Sequence, residues 1–84
     1  MEDRKIAFIG AIIDDPERAQ REFNSVVSSY KSIVRGRSGT PFPEGIAVIS
    51  IVVMGEVDVI NAFTGRLGQI AGVQVKSAIS KRSF

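Results

Sequence analysis

The segment Gly45-Ile-Ala-Val-Ile-Ser-Ile-Val-Val-Met54 is the strongest strand signal in this chain. Its β-branched residues occupy both alternating sets of positions, so a strand here is apolar on both faces. Residues 5–13, Lys-Ile-Ala-Phe-Ile-Gly-Ala-Ile-Ile, form a second run of the same kind. Strands that are apolar on both faces are typical of the interior of a sheet. We therefore expect these two segments to be the central strands of one sheet.

A helix is predicted after each of the two apolar strands. Asp15-Pro16-Glu17 is a helix start, because aspartate caps free N–H groups and proline fits the first helical position. An apolar stripe with helical spacing follows it: Ala19, Phe23, Val26, Val27 and Tyr30. After Gly55, which is expected to close the strand, Asp58 is the predicted cap of the second helix and Gly68 its predicted left-handed stop. The apolar stripe of this helix is Ile60, Phe63, Leu67 and Ile70.

The remaining segments predict two outer strands. Residues 32–37 are mostly polar or charged around Ile33 and indicate a short edge strand, followed by a loop over residues 38–43 that is rich in glycine and proline. Residues 73–79 alternate between apolar and polar side chains and predict the last strand. Residues 1–4 and 81–84 are expected to be frayed tails.

The order of elements predicts the fold class. A single domain over residues 1–84 has the order strand, helix, strand, strand, helix, strand, which is typical of a ferredoxin-like βαββαβ sandwich of the α+β class. Right-handed crossovers place both helices on one face of a four-stranded antiparallel sheet. The side chains expected between helices and sheet are Ile9, Phe23, Val27, Ile49, Ile60, Phe63 and Leu67.

Two helices leave the second face of this sheet uncovered. Phe8 of the first strand, together with Val48 and Val52 of the third, would form part of an apolar patch larger than soluble monomers usually expose. A chain of 84 residues buries a small core, and without cysteine no disulfide supports it. We therefore expect a homodimer or homotetramer that associates through the sheet.

Composition narrows the classes of function. The chain has no histidine and no cysteine, which removes the commonest general base, the commonest metal ligand and any thiolate site. Its carboxylates are scattered, so neither a metal nor another cofactor is expected, and no base accompanies a serine or threonine. An enzyme is consequently the least favoured class.

Charge and hydropathy indicate the setting in which the protein works. A net charge of +2 makes no large basic field, so nucleic acid is not an expected partner. No apolar run reaches the roughly 18 residues that a membrane span needs, and the polar start is unlike a signal peptide. A cytoplasmic protein without membrane contact is expected.

The segment Arg35-Gly-Arg-Ser-Gly-Thr-Pro-Phe-Pro43 is the most unusual in the chain. Arg35 and Arg37 alternate, which would point both guanidinium groups to one face of the edge strand. Beside glycine-rich backbone they could hold a carboxylate or a phosphate. In a second interpretation, which is the more frequent one, the arginines protect an exposed strand edge and the glycines shape a hairpin. Under the first interpretation, the candidate anion ligands are Arg35, Arg37, Ser38 and Gly39.

Four segments resemble the small regulators associated with the iron-only hydrogenase system, relatives of ACT domains and of the C-terminal domain of the nickel-responsive repressor. The segments are residues 6–13, 36–42, 45–52 and 65–76. The resemblance implies a ferredoxin-like fold, self-association and a regulatory role. ACT domains bind amino acids near the turn after the first strand, which implies Asp14 and Asp15 in this chain. The nickel repressor binds metal through histidine and cysteine, so nickel sensing is not implied here.

These observations favour a small ACT-like regulatory module that self-associates and binds a small anionic or amino-acid-like ligand. Two alternatives stay open beside it. One is a structural interaction subunit without a ligand, and the other is a nucleic-acid-binding domain.

Overall fold

The chain forms six elements in the predicted order. The computed structural model describes residues 3–84. The elements are β1 (Arg4–Ile13), α1 (Pro16–Ser29), β2 (Val34–Pro41), β3 (Ala47–Glu56), α2 (Val57–Gly68) and β4 (Val73–Ile79). None of the helices in this part of the chain is long and apolar enough to cross a membrane.

The four strands form one antiparallel sheet in the order β2-β3-β1-β4. The two apolar strands are its centre, as predicted, and the fold is the expected ferredoxin-like α+β sandwich. Ile9 of β1 lies opposite Ile51 of β3, and Phe8 lies opposite Val52. Because side chains alternate along a strand, these two cross-strand pairs point to opposite faces of the sheet.

Helices α1 and α2 cover one face of the sheet and enclose the core. Ile9, Ile51, Phe63 and Leu67 are inaccessible to solvent, and the ring of Tyr30 packs on that of Phe63 with 4.8 Å between centroids. The predicted core is confirmed except at Ile49, which is only half-buried and packs at the margin of the cluster.

Capping differs between the two helices. The Asp15 carboxylate accepts a hydrogen bond from the Arg18 amide at 3.4 Å, and Pro16 opens α1 as predicted. Helix α2 begins two residues earlier than expected, with Glu56 as its N-cap and no side-chain capping bond. Asp58 lies in the first turn instead, where its charge still suits the positive end of the helix dipole.

Two glycine predictions were wrong. Gly55 does not close β3, which runs on to Glu56, and a Cβ at Gly55 would lie 2.9 Å from Cγ2 of Ile33. Glycine is needed there for close packing rather than for a stop. Gly68 ends α2 without a positive φ, and the left-handed residue is Gly72, at φ +79° in the turn before β4.

Strand β2 differs most from its prediction. It starts at Val34 and continues through Ser38, Gly39 and Thr40, which were predicted to lie in a loop. These residues pair with Ser50, Ile49 and Val48 of β3. The backbone hydrogen bonds to β3 therefore extend the strand, although the polar sequence of β2 has no strand pattern. The hairpin then closes through a turn at Gly45, whose φ is +90°.

The structure places the C-terminal residues of the predicted tails beside β1. The Ser80 amide donates to the Ile6 carbonyl at 2.8 Å, and the Phe84 amide donates to the Arg4 carbonyl at 2.7 Å. Residues 80–84 therefore follow the start of β1, in which Arg4 itself pairs with Glu56. Of the predicted N-terminal tail, residues 1–2 lie outside the described residues.

Substitution of Phe63 tests the packing of the core. Phe63→Ala should lower the free energy of unfolding by about 3–5 kcal/mol, because it removes a fully buried aromatic side chain and leaves a cavity. Val59→Ala, on an exposed position of the same helix, is the control and should change it by no more than about 0.5 kcal/mol. Urea unfolding followed by circular dichroism measures both, and a loss below about 1 kcal/mol for Phe63→Ala would show that Phe63 is not core.

Candidate functional site

A cleft opens on the helix side of the sheet, between α1 and the strands β2 and β3. Its volume is about 290 Å³. Its apolar lining consists of Ile13, Pro16, Phe23, Pro41, Ala47 and Ile49. Its other lining residues are Gln20, Asn24, Arg37, Gly39 and Thr40. We call this site the α1–β2 cleft.

The cleft exists because β2 presents little side-chain volume to α1. Gly39 pairs with Ile49 on the helix-facing side of the sheet, and a Cβ at Gly39 would lie only 3.1 Å from Cδ1 of Ile49. The glycine therefore lets Ile49 extend toward the strand edge. It also leaves the space above the strand unfilled, which explains why Ile49 is not fully buried.

Arg37 is the charged residue of the α1–β2 cleft. Its Nη2 donates to Oδ1 of Asn24 at 2.7 Å, and its guanidinium lies over the Phe23 ring, 5.5 Å from the centroid. Neither contact neutralises the charge, since one partner is an amide and the other an aromatic ring. Arg37 is thus held in place while most of its five N–H donors remain for a ligand.

The predicted site residues do not all come together. Arg37 and Gly39 line the α1–β2 cleft. Asp15 lies in an adjoining shallow depression with Glu17, on the other side of Pro16 and Pro41, and its carboxylate caps α1. Asp14 is exposed, and its amide donates to the Gly72 carbonyl in the turn before β4.

Arg35 and Ser38 also lie away from the cleft. A register shift between Val34 and Gly36 interrupts the alternation on which the pairing of the two arginines depended. Arg35 donates from Nη1 to the Ser32 carbonyl at 3.2 Å, whereas Arg37 reaches α1. Ser38 pairs with Ser50 on the opposite face of the sheet. In this structure the two arginines thus contact different segments, Arg35 the turn before β2 and Arg37 helix α1.

Helix α1 contributes three cleft residues that were not predicted from the sequence. Pro16, Gln20 and Asn24 recur at every fourth position and form one line along the helix. This spacing was visible in the sequence, beside the apolar stripe that includes Phe23. Nothing in the sequence indicated that the line would face β2.

The second notable surface is the sheet face that the helices do not cover, which we call the open sheet face. By the strand registers it presents Ile6, Phe8, Gly10 and Ile12 of β1 and Val48, Ser50, Val52 and Met54 of β3. Gly36, Ser38 and Thr40 of β2 border it on one side, and Gln74, Lys76 and Ala78 of β4 on the other. Phe8 is 53% exposed and Val52 39% exposed, in the middle of the face. The predicted assignment of the two faces is confirmed.

Metal binding has little support among residues 3–84. They hold no group of three or more histidine, cysteine, aspartate or glutamate side chains placed to bind an ion. Asp14, Asp15 and Glu17 follow one another closely in the sequence, but Asp15 is engaged in capping and the Asp14 backbone turns toward β4.

The sequence matches the TM1266-like family model, described as "Iron-only hydrogenase system regulator, putative", over residues 5–77. The chain belongs to the TM1266-like family. Among solved structures, the protein TM1266 from Thermotoga maritima is similar, with 31% sequence identity and a TM-score of 0.88 over 94% of this chain and 100% of that one. The family's description is that of a regulator.

Two more distant structures share the fold of the TM1266-like chain. The C-terminal domain of the MgtC protein from Mycobacterium tuberculosis has 12% identity and a TM-score of 0.73, over 100% of this chain and 96% of that one. A protein from Galdieria sulphuraria has 11% identity and a TM-score of 0.65, over 95% of this chain and 47% of that one. No sequence among the curated proteins matches this chain.

Substitution of Asp15 tests its capping role. Asp15→Ala should lower the free energy of unfolding by about 1 kcal/mol, because the Arg18 amide loses its capping bond. Asp14→Ala is the matched control, an adjacent exposed carboxylate, and should leave stability nearly unchanged. Thermal unfolding of both variants measures the difference, and equal melting temperatures would show that the cap contributes nothing.

Proposed function

We propose that this chain is a regulatory module of the iron-only hydrogenase system that works as a symmetric homo-oligomer joined through the open sheet face. The family match supports the regulatory role. The observation that carries the assembly is the exposure of Phe8, Ile12 and Val52 together on one face of the sheet. Exposed aromatic and aliphatic side chains in one contiguous patch are typical of interaction surfaces.

The size of the open sheet face fits a protein interface. Strands are spaced by ~4.8 Å and rise ~3.4 Å per residue, so four strands of the lengths seen here span roughly 600 Å² in projection. A standard interface buries about 800 Å² of accessible surface on each partner. Side chains that project from the sheet make its accessible surface larger than its projected area, which brings the two values close together. The face is therefore large enough for a stable pair.

A second copy of the chain suits this face better than a partner of other chemistry. Its centre is aliphatic and aromatic. A shallow depression at Gly10 has one charged residue in its lining, Lys76 of the bordering strand β4, which pairs with Gly10. Such a surface is self-complementary, because apolar side chains of one copy can pack on those of the other without opposing charges. Closed two-fold symmetry then gives a dimer, or a tetramer where a second contact joins two dimers.

As a regulator, the oligomer would respond to a small anionic or amino-acid-like ligand. The support for this part of the proposal is the α1–β2 cleft, which holds a positive charge among apolar side chains. A structural subunit without a ligand would assemble in the same way but bind nothing. A nucleic-acid-binding domain would instead keep its open face free for bases and show an affinity that falls with salt.

Charge placed on the open sheet face should break the assembly. Wild-type protein at micromolar concentration should sediment at two or four times 9.1 kDa. Val52→Lys should shift it to the monomer or unfold it, because burying an unpaired charge in an apolar interface is strongly unfavourable. Val59→Lys is the matched control, since Val59 is similarly exposed but lies on α2, and it should keep the wild-type mass.

Sedimentation also gives the outcome that contradicts the proposal. A folded wild-type monomer near 9.1 kDa would exclude the homo-oligomer. A Val52→Lys variant that stays folded at the wild-type mass would show that the open sheet face is not the contact.

A further inference from the structure

We infer that the α1–β2 cleft binds a small monocarboxylate with an apolar body, its carboxylate on Arg37 and its body against Ile13, Ala47 and Ile49. This inference names the ligand class and the site of the regulatory module proposed above, and it rests on that proposal for its biological purpose. The binding itself depends only on the cleft.

The volume of the cleft sets the size of the ligand. At about 290 Å³ it lies just below the roughly 300–1,000 Å³ that is usual for small-molecule sites. Its walls are mostly apolar, with a few polar groups at one side, which is the usual construction of a site that binds an organic molecule in one orientation. A compact body such as a phenyl ring or a branched alkyl group fits this space.

Arg37 and Asn24 together provide a ready-made carboxylate subsite. The hydrogen bond between them requires the Asn24 carbonyl oxygen to face the guanidinium, so the Asn24 amide nitrogen keeps its donors. The Phe23 ring supports the guanidinium plane from below at 5.5 Å. A carboxylate can therefore accept from the free N–H groups of Arg37 without any rearrangement of the side chain.

The surroundings favour one negative charge over two. A single arginine supplies the positive charge, and Pro16, which opens α1 at the cleft, has no N–H to offer an anion. The carboxylates of Asp15 and Glu17 occupy the adjoining depression and oppose further negative charge. A monocarboxylate is thus a better match than a phosphate monoester.

The test is a titration of the ¹⁵N-labelled full chain, followed by amide chemical shifts, with phenylacetate and 4-methylpentanoate as probes. Both should shift the amides around Arg37 and Asn24 saturably, at Kd values of about 1 mM or below. The neutral isostere phenylacetamide and inorganic phosphate should each bind at least about tenfold more weakly, because one lacks the charge and the other the apolar body.

Matched variants locate the binding. Arg37→Gln should weaken both probes by about tenfold or more, since a charge-assisted pair is lost. Arg35→Gln removes a nearby arginine outside the cleft and should leave binding unchanged. Ala47→Leu fills the apolar end of the cleft and should abolish binding of both probes. The spectrum of each variant shows at the same time whether it is folded.

Three results would overturn the site. They are the absence of saturable shifts at about 10 mM probe, shifts that persist in folded Arg37→Gln, and shifts centred on Asp14 and the turn before β4. Sedimentation of the same samples keeps the two proposals apart. An oligomer that binds neither probe refutes this site alone, and a monomer that binds them refutes the assembly alone.

Discussion

Two helices can cover only one face of a four-stranded sheet, and in this chain the strands at the centre of that sheet are apolar on both faces. The core and the open sheet face both follow from this constraint. The covered face buries Ile9, Ile51 and Phe63 completely and forms the core. The other face exposes Phe8 and Val52 to solvent, at a hydrophobic cost that the proposed association of two faces would remove. The same strands thus supply both the core and the surface that we propose as the contact between copies.

The cleft has a separate origin, in the edge strand rather than in the central pair. Helix α1 is fixed at its start by Asp15 and along its length by Phe23, so its height above the sheet is set by the core. Over β2 it meets Gly39, and the unfilled space becomes a cleft that Arg37 borders. Because the cleft and the open sheet face are on opposite sides of the sheet, the proposed ligand and the proposed second copy of the chain would not compete for the same surface.

The sequence was sufficient for the features that depend on a strong local pattern. Both apolar strands, the start of α1 at Asp15-Pro16 and the alternation of β4 were predicted correctly, because each has its own periodicity or capping chemistry. The course of β2 was not, since its residues carry no strand pattern and are ordered by pairing with β3. The placement of the candidate site residues could not be predicted for the same reason. The prediction assumed regular alternation of Arg35 and Arg37, and a bulge, which is a property of the paired strands, interrupts that alternation.

The central claim is that the open sheet face is the contact between copies, and isotope-filtered NMR tests it most directly. In a sample mixed from ¹³C-labelled and unlabelled chains, nuclear Overhauser effects between the two isotopic forms arise only across an interface. We expect them between the side chains of Phe8, Ile12 and Val52. Intermolecular effects confined to the helices, or a folded sample with none at all, would contradict the account.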